Sequence, residues 1–254
     1  MKGPFRRKDP APRAEPEDVP VIVSLPPEEP EEVSFDELRM GFTAAVSHEL
    51  RTPLARILAL LDSADLPGAD VPALIDQARA EVEHAGELIG EILFLSELEQ
   101  GKEIVSLGVT NALPVLEQVV EELEDQSARA GVTLEAGGDS TVDLPLRPRL
   151  LRIVAKNLAE NAIRYAGHGA TFRLSVGREP GSAVLTGADD GIGIAESDLP
   201  RLFERFWRAD AARASRGTGL GLAILKHVVV SAGGVVEAES GRGQGLQVRC
   251  VFPD

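Results

Sequence analysis

A single cysteine, Cys250, is all that 254 residues offer toward a disulfide, so no internal disulfide framework exists and a reducing compartment suits the chain. Positive charge is also short, with 26 Lys and Arg against 41 Asp and Glu, a formal net charge of −15. Phosphate backbones are bound by clustered Lys and Arg, so nucleic acid is excluded as a partner. Long apolar runs are missing too. A bilayer span needs roughly 20 apolar residues, and the longest runs here, 57–61 and 228–230, fall far short. Residues 1–10 are basic without an apolar stretch, so no secretory leader is expected. A soluble, cytoplasmic protein is the expectation. In a longer chain, the basic cluster Lys2, Arg6, Arg7 and Lys8 is compatible with a membrane span upstream of it, as the positive-inside rule allows.

What is present starts with a reactive-looking helix. Phe42, Ala45, Val46, Leu50, Leu54, Ile57, Leu58 and Leu61 recur at three and four, the period of an amphipathic helix. His48 falls on its polar flank, and Thr52 lies one turn further along the same face. Pro53 lacks an N–H and its ring meets the carbonyl of Glu49, so a kink is expected beside the histidine. A lone surface histidine usually does nothing. Here an adjoining carboxylate, a hydroxyl one turn away and a local kink surround it. His84 and His227 have no following Thr-Pro, and His168 lies between glycines, so His48 alone is the candidate.

The chain divides by texture. Residues 1–33 are dense in proline and acid and are expected to form a disordered lead, with 19–25 able to add a strand. A helix should begin near Ser34, which has Glu37 at the capping-box spacing, and run to about Asp62. A second should run from Pro72 to about Glu99 and close at Gly101, with Leu74, Ala78, Val82, Ala85, Leu88, Ile89, Ile92, Leu95 and Leu98 as its stripe. Such a hairpin cannot bury both stripes. A second copy making a four-helix bundle is the simplest remedy, and packing onto the C-terminal region would leave the opposite stripe wet. From residue 101 the pattern is mixed. Helices are expected over 113–130, 149–165 and 220–232, and strands over 132–136, 140–144, 171–177, 183–188, 235–240 and 246–252. Helices interleaved with mostly antiparallel strands predict a two-layer α/β sandwich, and the whole chain an α+β fold.

Two glycine-rich stretches carry further chemistry, 189–194 after a strand and 216–222 at the start of a helix. Glycines allow close backbone approach, and a helix N-terminus offers unpaired N–H groups to phosphate. Against the global charge, a nucleotide site would need such local donors, bound Mg²⁺ and a few arginines. No Walker A string occurs, and the strands do not alternate with crossover helices as in a Rossmann fold.

Five motifs in order then bring out a resemblance. Ser47-His48-Glu49-Leu50-Arg51-Thr52-Pro53-Leu54 resembles the H-box of sensor histidine kinases. Residues Asn157 to Tyr165 look like the N-box, and Asp189-Asp190-Gly191-Ile192-Gly193-Ile194 like the first glycine box. Leu202-Phe203-Glu204-Arg205-Phe206-Trp207 resembles the F-box, and Gly217-Thr218-Gly219-Leu220-Gly221-Leu222 the second glycine box. The similarity covers about residues 34–254. It implies a dimerisation and phosphoacceptor domain over 34–100 and a gyrase-type ATP-binding catalytic domain over 101–254.

The resemblance further implies that His48 autophosphorylates from ATP and passes the phosphoryl group to an aspartate of a response regulator, the chain acting as a homodimer. Glu49 would hold the ring tautomer, and Thr52 would orient a water to dephosphorylate the regulator. Asn157 and Asn161 would share a helix face, with Asn161 giving its oxygen to Mg²⁺. Asp189 would accept the adenine amino group, Tyr165 would lie against adenine, and Arg164 would reach phosphate. Phe203 and Phe206 would anchor a lid running from about Ala209 to Arg216, with Arg213 or Arg216 on the γ-phosphate. Asp190 stands where the family commonly has Asn, and Arg147-Pro148 replaces the usual Gly-Asp. Two other readings are a pseudokinase scaffold acting mainly as a phosphatase, and a gyrase-like ATPase or serine kinase, which the H-box argues against.

Overall fold

The computed structural model describes residues 21–25, 35–100, 108–209 and 217–254. Helix α1, Phe35–Ala64, and helix α2, Val71–Glu99, form the hairpin. Asp70 caps α2 by accepting the Ala73 N–H at 3.2 Å, and a proline in the first turn sets the entry. Ser34 and Gly101, the expected caps, lie outside the described residues. The helix α1 continues without interruption through Pro53, which is buried.

The hairpin buries one side of α2 and leaves another open. Leu88, Leu95 and Leu98 join the core of the C-terminal half, with Leu50, Ile92 and Phe94 packed against it. Val82 and Ile89, read as part of the same stripe, are exposed instead. The reason is angular. A helix turns 100° per residue, so a stripe wide enough to hold both sets meets two different partners.

The C-terminal half places strand β2, Thr110–Asn111, before helix α3, Ala112–Ala130. Strands β3, Thr133–Gly138, and β4, Asp143–Leu144, lead to helix α4, Pro148–Tyr165. Then come β5, Thr171–Glu179, β6, Ser182–Asp189, a single 3-10 turn at Leu199–Arg201, and helix α5, Gly221–Ser231. Strands β7, Val235–Ser240, and β8, Leu246–Pro253, close the chain. The N-terminal strand β1, Val21–Leu25, pairs antiparallel with β7 and completes a six-stranded sheet in the order β1-β7-β8-β6-β5-β3. All neighbours are antiparallel except β3 with β5. β2 and β4 form a separate two-stranded ladder, shorter than the strand expected over 140–144.

Alternation explains the layers. Phe172, Leu174, Val176, Leu185, Val248, Cys250 and Phe252 face the helices and are buried with Leu151, Val154 and Leu158 of α4 and Ile224, Leu225 and Val228 of α5. The opposite face carries ion pairs, Arg249 with Glu179 and Glu237, and Arg173 with Glu135. Burial pushes the Cys250 thiol up to about 12, which leaves it inert. Among the described residues, no helix is long and apolar enough to cross a membrane.

Candidate active site

Asp189 ends β6 on the helix-facing side, in register with Phe172. One of its oxygens, Oδ1, accepts the N–H of Gly191 at 2.9 Å and that of Leu246 at 3.3 Å. Burial pushes its carboxyl above its usual range, overcoming those two bonds, and the Asp190 charge adds to the rise. Asp190 itself accepts the Thr171 N–H at 2.6 Å, so this departure from the family pattern ties the end of β6 to the start of β5.

The glycines around Asp189 are fixed by contact. A Cβ on Gly191 would stand 2.2 Å from the Ala166 carbonyl oxygen, and one on Gly193 2.0 Å from that of Gly241. Gly193 also has φ +66°, open to glycine at least cost. The turn after β7 locks this loop, because Ile194 N–H donates to Ser240 Oγ at 2.8 Å and Gly245 N–H to the Gly191 carbonyl at 3.0 Å. Sequence reasoning passed over that turn, although its run Gly241-Arg242-Gly243-Gln244-Gly245 was the available signal.

A cavity of ≈ 830 Å³ opens beside Asp189. Asn157, Asn161, Arg164, Tyr165, Asp189, Gly193, Thr218, Gly219 and Gly221 line it, together with Arg201, Trp207, Arg208 and Arg242. Asn157 donates to the Ile153 carbonyl at 3.0 Å, and its Oδ1 sits against Gly221, where a Cβ would come within 2.4 Å. Arg164 pairs with Glu160 at 3.2 Å. The remaining expected residues do not line the cavity. Phe203 and Leu220 are buried, Phe206 bears φ +60°, Gly191 packs against Ala166, and Gly217 packs against the Tyr165 hydroxyl. Of the lid, residues 210–216, including Arg213 and Arg216, lie outside the described residues.

His48 stands on α1 with its side chain 75% exposed. Its Nδ1 is 3.4 Å from Glu49 Oε1, long for a hydrogen bond but within reach of one. Thr52 Oγ1 lies 3.4 Å from the His48 carbonyl oxygen. These residues share a cleft of ≈ 500 Å³ whose far wall is Arg201, Arg205, Phe206, Trp207, Arg208 and Gly217. Arg201, Trp207 and Arg208 line both this cleft and the nucleotide-sized cavity. His84, set aside in the sequence, lines the cleft as well. Its sole signal was helical spacing, which does not say which helix faces it.

Among the described residues, no group of three or more His, Cys, Asp or Glu could hold a metal. The Asn161 amide, with no protein partner among the described residues, offers the oxygen that a hard cation such as Mg²⁺ takes.

Comparison with known proteins agrees with this arrangement. Residues 38–101 match the family described as His Kinase A (phospho-acceptor) domain. Residues 146–254 match the Histidine kinase-, DNA gyrase B-, and HSP90-like ATPase family. The sensor-like histidine kinase SenX3 of Mycolicibacterium smegmatis is 33% identical over 236 residues, covering 88% of this chain and 60% of the relative. The solved Acinetobacter baumannii histidine kinase AdeS superposes with TM-score 0.67 at 24% identity, covering 81% of this chain and 97% of that one. Full-length ShkA, solved in complex with AMPPNP, gives TM-score 0.63 at 26% identity, over 83% of this chain and 45% of that one. A phosphoacceptor hairpin joined to a gyrase-type ATPase domain defines the class. The chain belongs to the sensor histidine kinases of two-component systems. It spans 60%, 55% and 47% of the length of three such curated relatives.

Proposed function

We propose that this chain is an ATP-dependent protein-histidine kinase, with residues 34–100 as its dimerisation and phosphoacceptor domain and 101–254 as its catalytic domain. The observation that carries this reading is the cleft at His48, whose far wall is the rim of the nucleotide cavity. Adenine would enter against Tyr165 and give its amino group to Asp189. The phosphates would extend toward Gly219, Gly221 and the N-terminus of α5, where unpaired N–H groups attract anions. Asn161 would hold Mg²⁺, which neutralises charge between the phosphates. Arg164 would reach the same phosphates.

The neutral His48 ring is a competent nucleophile near pH 7. Glu49 would hold the proton on Nδ1, so Nε2 attacks the γ-phosphorus. The N–P bond forms, the bond to the β–γ bridging oxygen breaks, and ADP leaves while the ring proton passes to solvent. An aspartate of a response regulator then takes the phosphoryl group, and Thr52 would orient a water that hydrolyses the regulator's aspartyl-phosphate to aspartate and inorganic phosphate. Chemistry that consumes ATP and needs no disulfide belongs in the cytoplasm.

Incubation with γ-labelled ATP tests the assignment. The protein should gain a label that is acid-labile and alkali-stable, and His48→Gln should lose it while still binding ATP. Acid-labile label retained on His48→Gln would move the phosphoacceptor elsewhere, and acid-stable label would point to a serine kinase instead.

A further inference from the structure

Glu91 is a half-buried carboxylate that the phosphoryl transfer above does not use. It projects from α2, and its Oε2 accepts a hydrogen bond from the Thr218 hydroxyl in the second glycine box, 127 positions away in the chain. Thr218 is itself buried and lines the nucleotide cavity. The same hydroxyl receives the Leu220 N–H at 3.2 Å, immediately before α5 begins. A carboxylate oxygen therefore sits on a donor at the end of the cavity where phosphate belongs.

The surroundings of Glu91 show what holds it there. Burial pushes its carboxyl up, and the Thr218 hydroxyl and the Arg164 guanidinium oppose the rise. Glu160 and Glu87 add repulsion. A buried carboxylate persists only where such partners compensate it, and both partners here belong to the nucleotide side of the interface. Two more contacts clamp the same surface. Glu99 pairs with Arg205, and the Arg149 guanidinium lies 5.6 Å over the Phe94 ring.

We propose that Glu91 is a built-in stand-in for nucleotide phosphate, so that ATP and α2 compete for the Thr218 hydroxyl within the field of Arg164. It rests on the nucleotide reading above. An incoming triphosphate brings negative charge to the donor Glu91 occupies, and two anions cannot share it in a low-dielectric pocket without mutual repulsion. Nucleotide binding thus displaces Glu91 and frees the catalytic half from α2. The freed half is then able to carry the phosphates to His48. Adenosine, which lacks phosphate, fills the adenine end without disturbing the contact. Glu91 acts as a positioning residue, setting nucleotide affinity through the docked state.

Two measurements on the full chain test this. ATP and adenosine are each titrated, with Mg²⁺, into wild type and Glu91→Gln. Glu91→Gln should bind ATP about tenfold more tightly and adenosine equally well. In the second, Glu99→Cys and Arg205→Cys are combined, with the inert Cys250 as the remaining thiol, and the rate of disulfide closure is followed. A non-hydrolysable ATP analogue should slow closure at least fivefold, adenosine should not, and adding Glu91→Gln should erase the analogue's effect. Failure of wild type to bind ATP would overturn the nucleotide reading and the competition with it. ATP binding that is intact but unchanged in Glu91→Gln, or closure indifferent to the analogue, would overturn the competition alone.

Discussion

Asp189 accepts two backbone N–H groups on one oxygen and still has its carboxyl held above the ordinary range, because burial outweighs them. With Oδ1 already taken by two N–H groups, the proposed adenine contact falls to Oδ2, which accepts best when the carboxyl is ionised. Adenosine affinity should therefore weaken as pH falls, with onset above the ordinary aspartate value of about 3.9. Below the onset the loss should approach tenfold per pH unit. Adenosine is the right probe because it carries no phosphate to titrate or to meet Glu91. Asp189→Asn should cost about 1–3 kcal/mol of adenosine binding and flatten the profile. A wild-type profile flat down to pH 4, or full-strength binding by the Asp189→Asn variant, would place the adenine elsewhere. Asp189, Asn161 and His48 were legible in the sequence because each sits inside a string whose neighbours dictate its setting. Glu91 was not, since it is one acid among several on a helix, and only tertiary packing brings it to Thr218. His84 was hidden for the same reason.

At the scale of elements, α1 carries an unbroken helix through Pro53, so the missing N–H is absorbed within it. Thr52 Oγ1 at 3.4 Å from the His48 carbonyl is a long contact, loose enough to release the hydroxyl. Thr52→Ala should accordingly leave autophosphorylation within a few-fold of wild type and slow dephosphorylation of the cognate regulator at least tenfold. Parallel loss of both rates would instead make the hydroxyl a support for the helix. Helices were legible because apolar residues recur at 3.6, and β5 to β8 because they alternate. The ladder of β2 with β4 was not, because two residues are too few to show a period. Nor was the parallel pairing of β3 with β5, which depends on how α4 crosses over and not on the strand's own residues. The turn at 241–245 was overlooked because glycine runs signal a bend without naming what it supports. There, Gly245 at φ +74° would drive a Cβ to 1.8 Å from the Asp189 carbonyl oxygen, so the turn packs directly against the end of β6.

Across the whole molecule, the hairpin packs one flank on the catalytic half and leaves the other uncovered. Leu54, Leu58 and Leu61 on α1 are 56%, 62% and 52% exposed, and Val82, Ile89 and Leu93 on α2 are 57%, 45% and 60% exposed. Spacings of four, three and seven put these on continuous stripes, and an apolar band of that length on paired helices is the surface a second hairpin covers. A two-fold partner meets the same residues on its own copy, so one substitution acts twice in the assembly. Burying each leucine side chain is worth about 1.5–3 kcal/mol. Leu58→Glu should thus replace two favourable burials with two charges brought into the seam. The wild type should be a dimer by light scattering at micromolar concentration, and Leu58→Glu a monomer with its helicity kept. Adenosine affinity should not change, because the cavity is lined from residue 157 onward. A wild type that is monomeric at that concentration, with full helicity, would show that these stripes meet something other than a second copy of the chain.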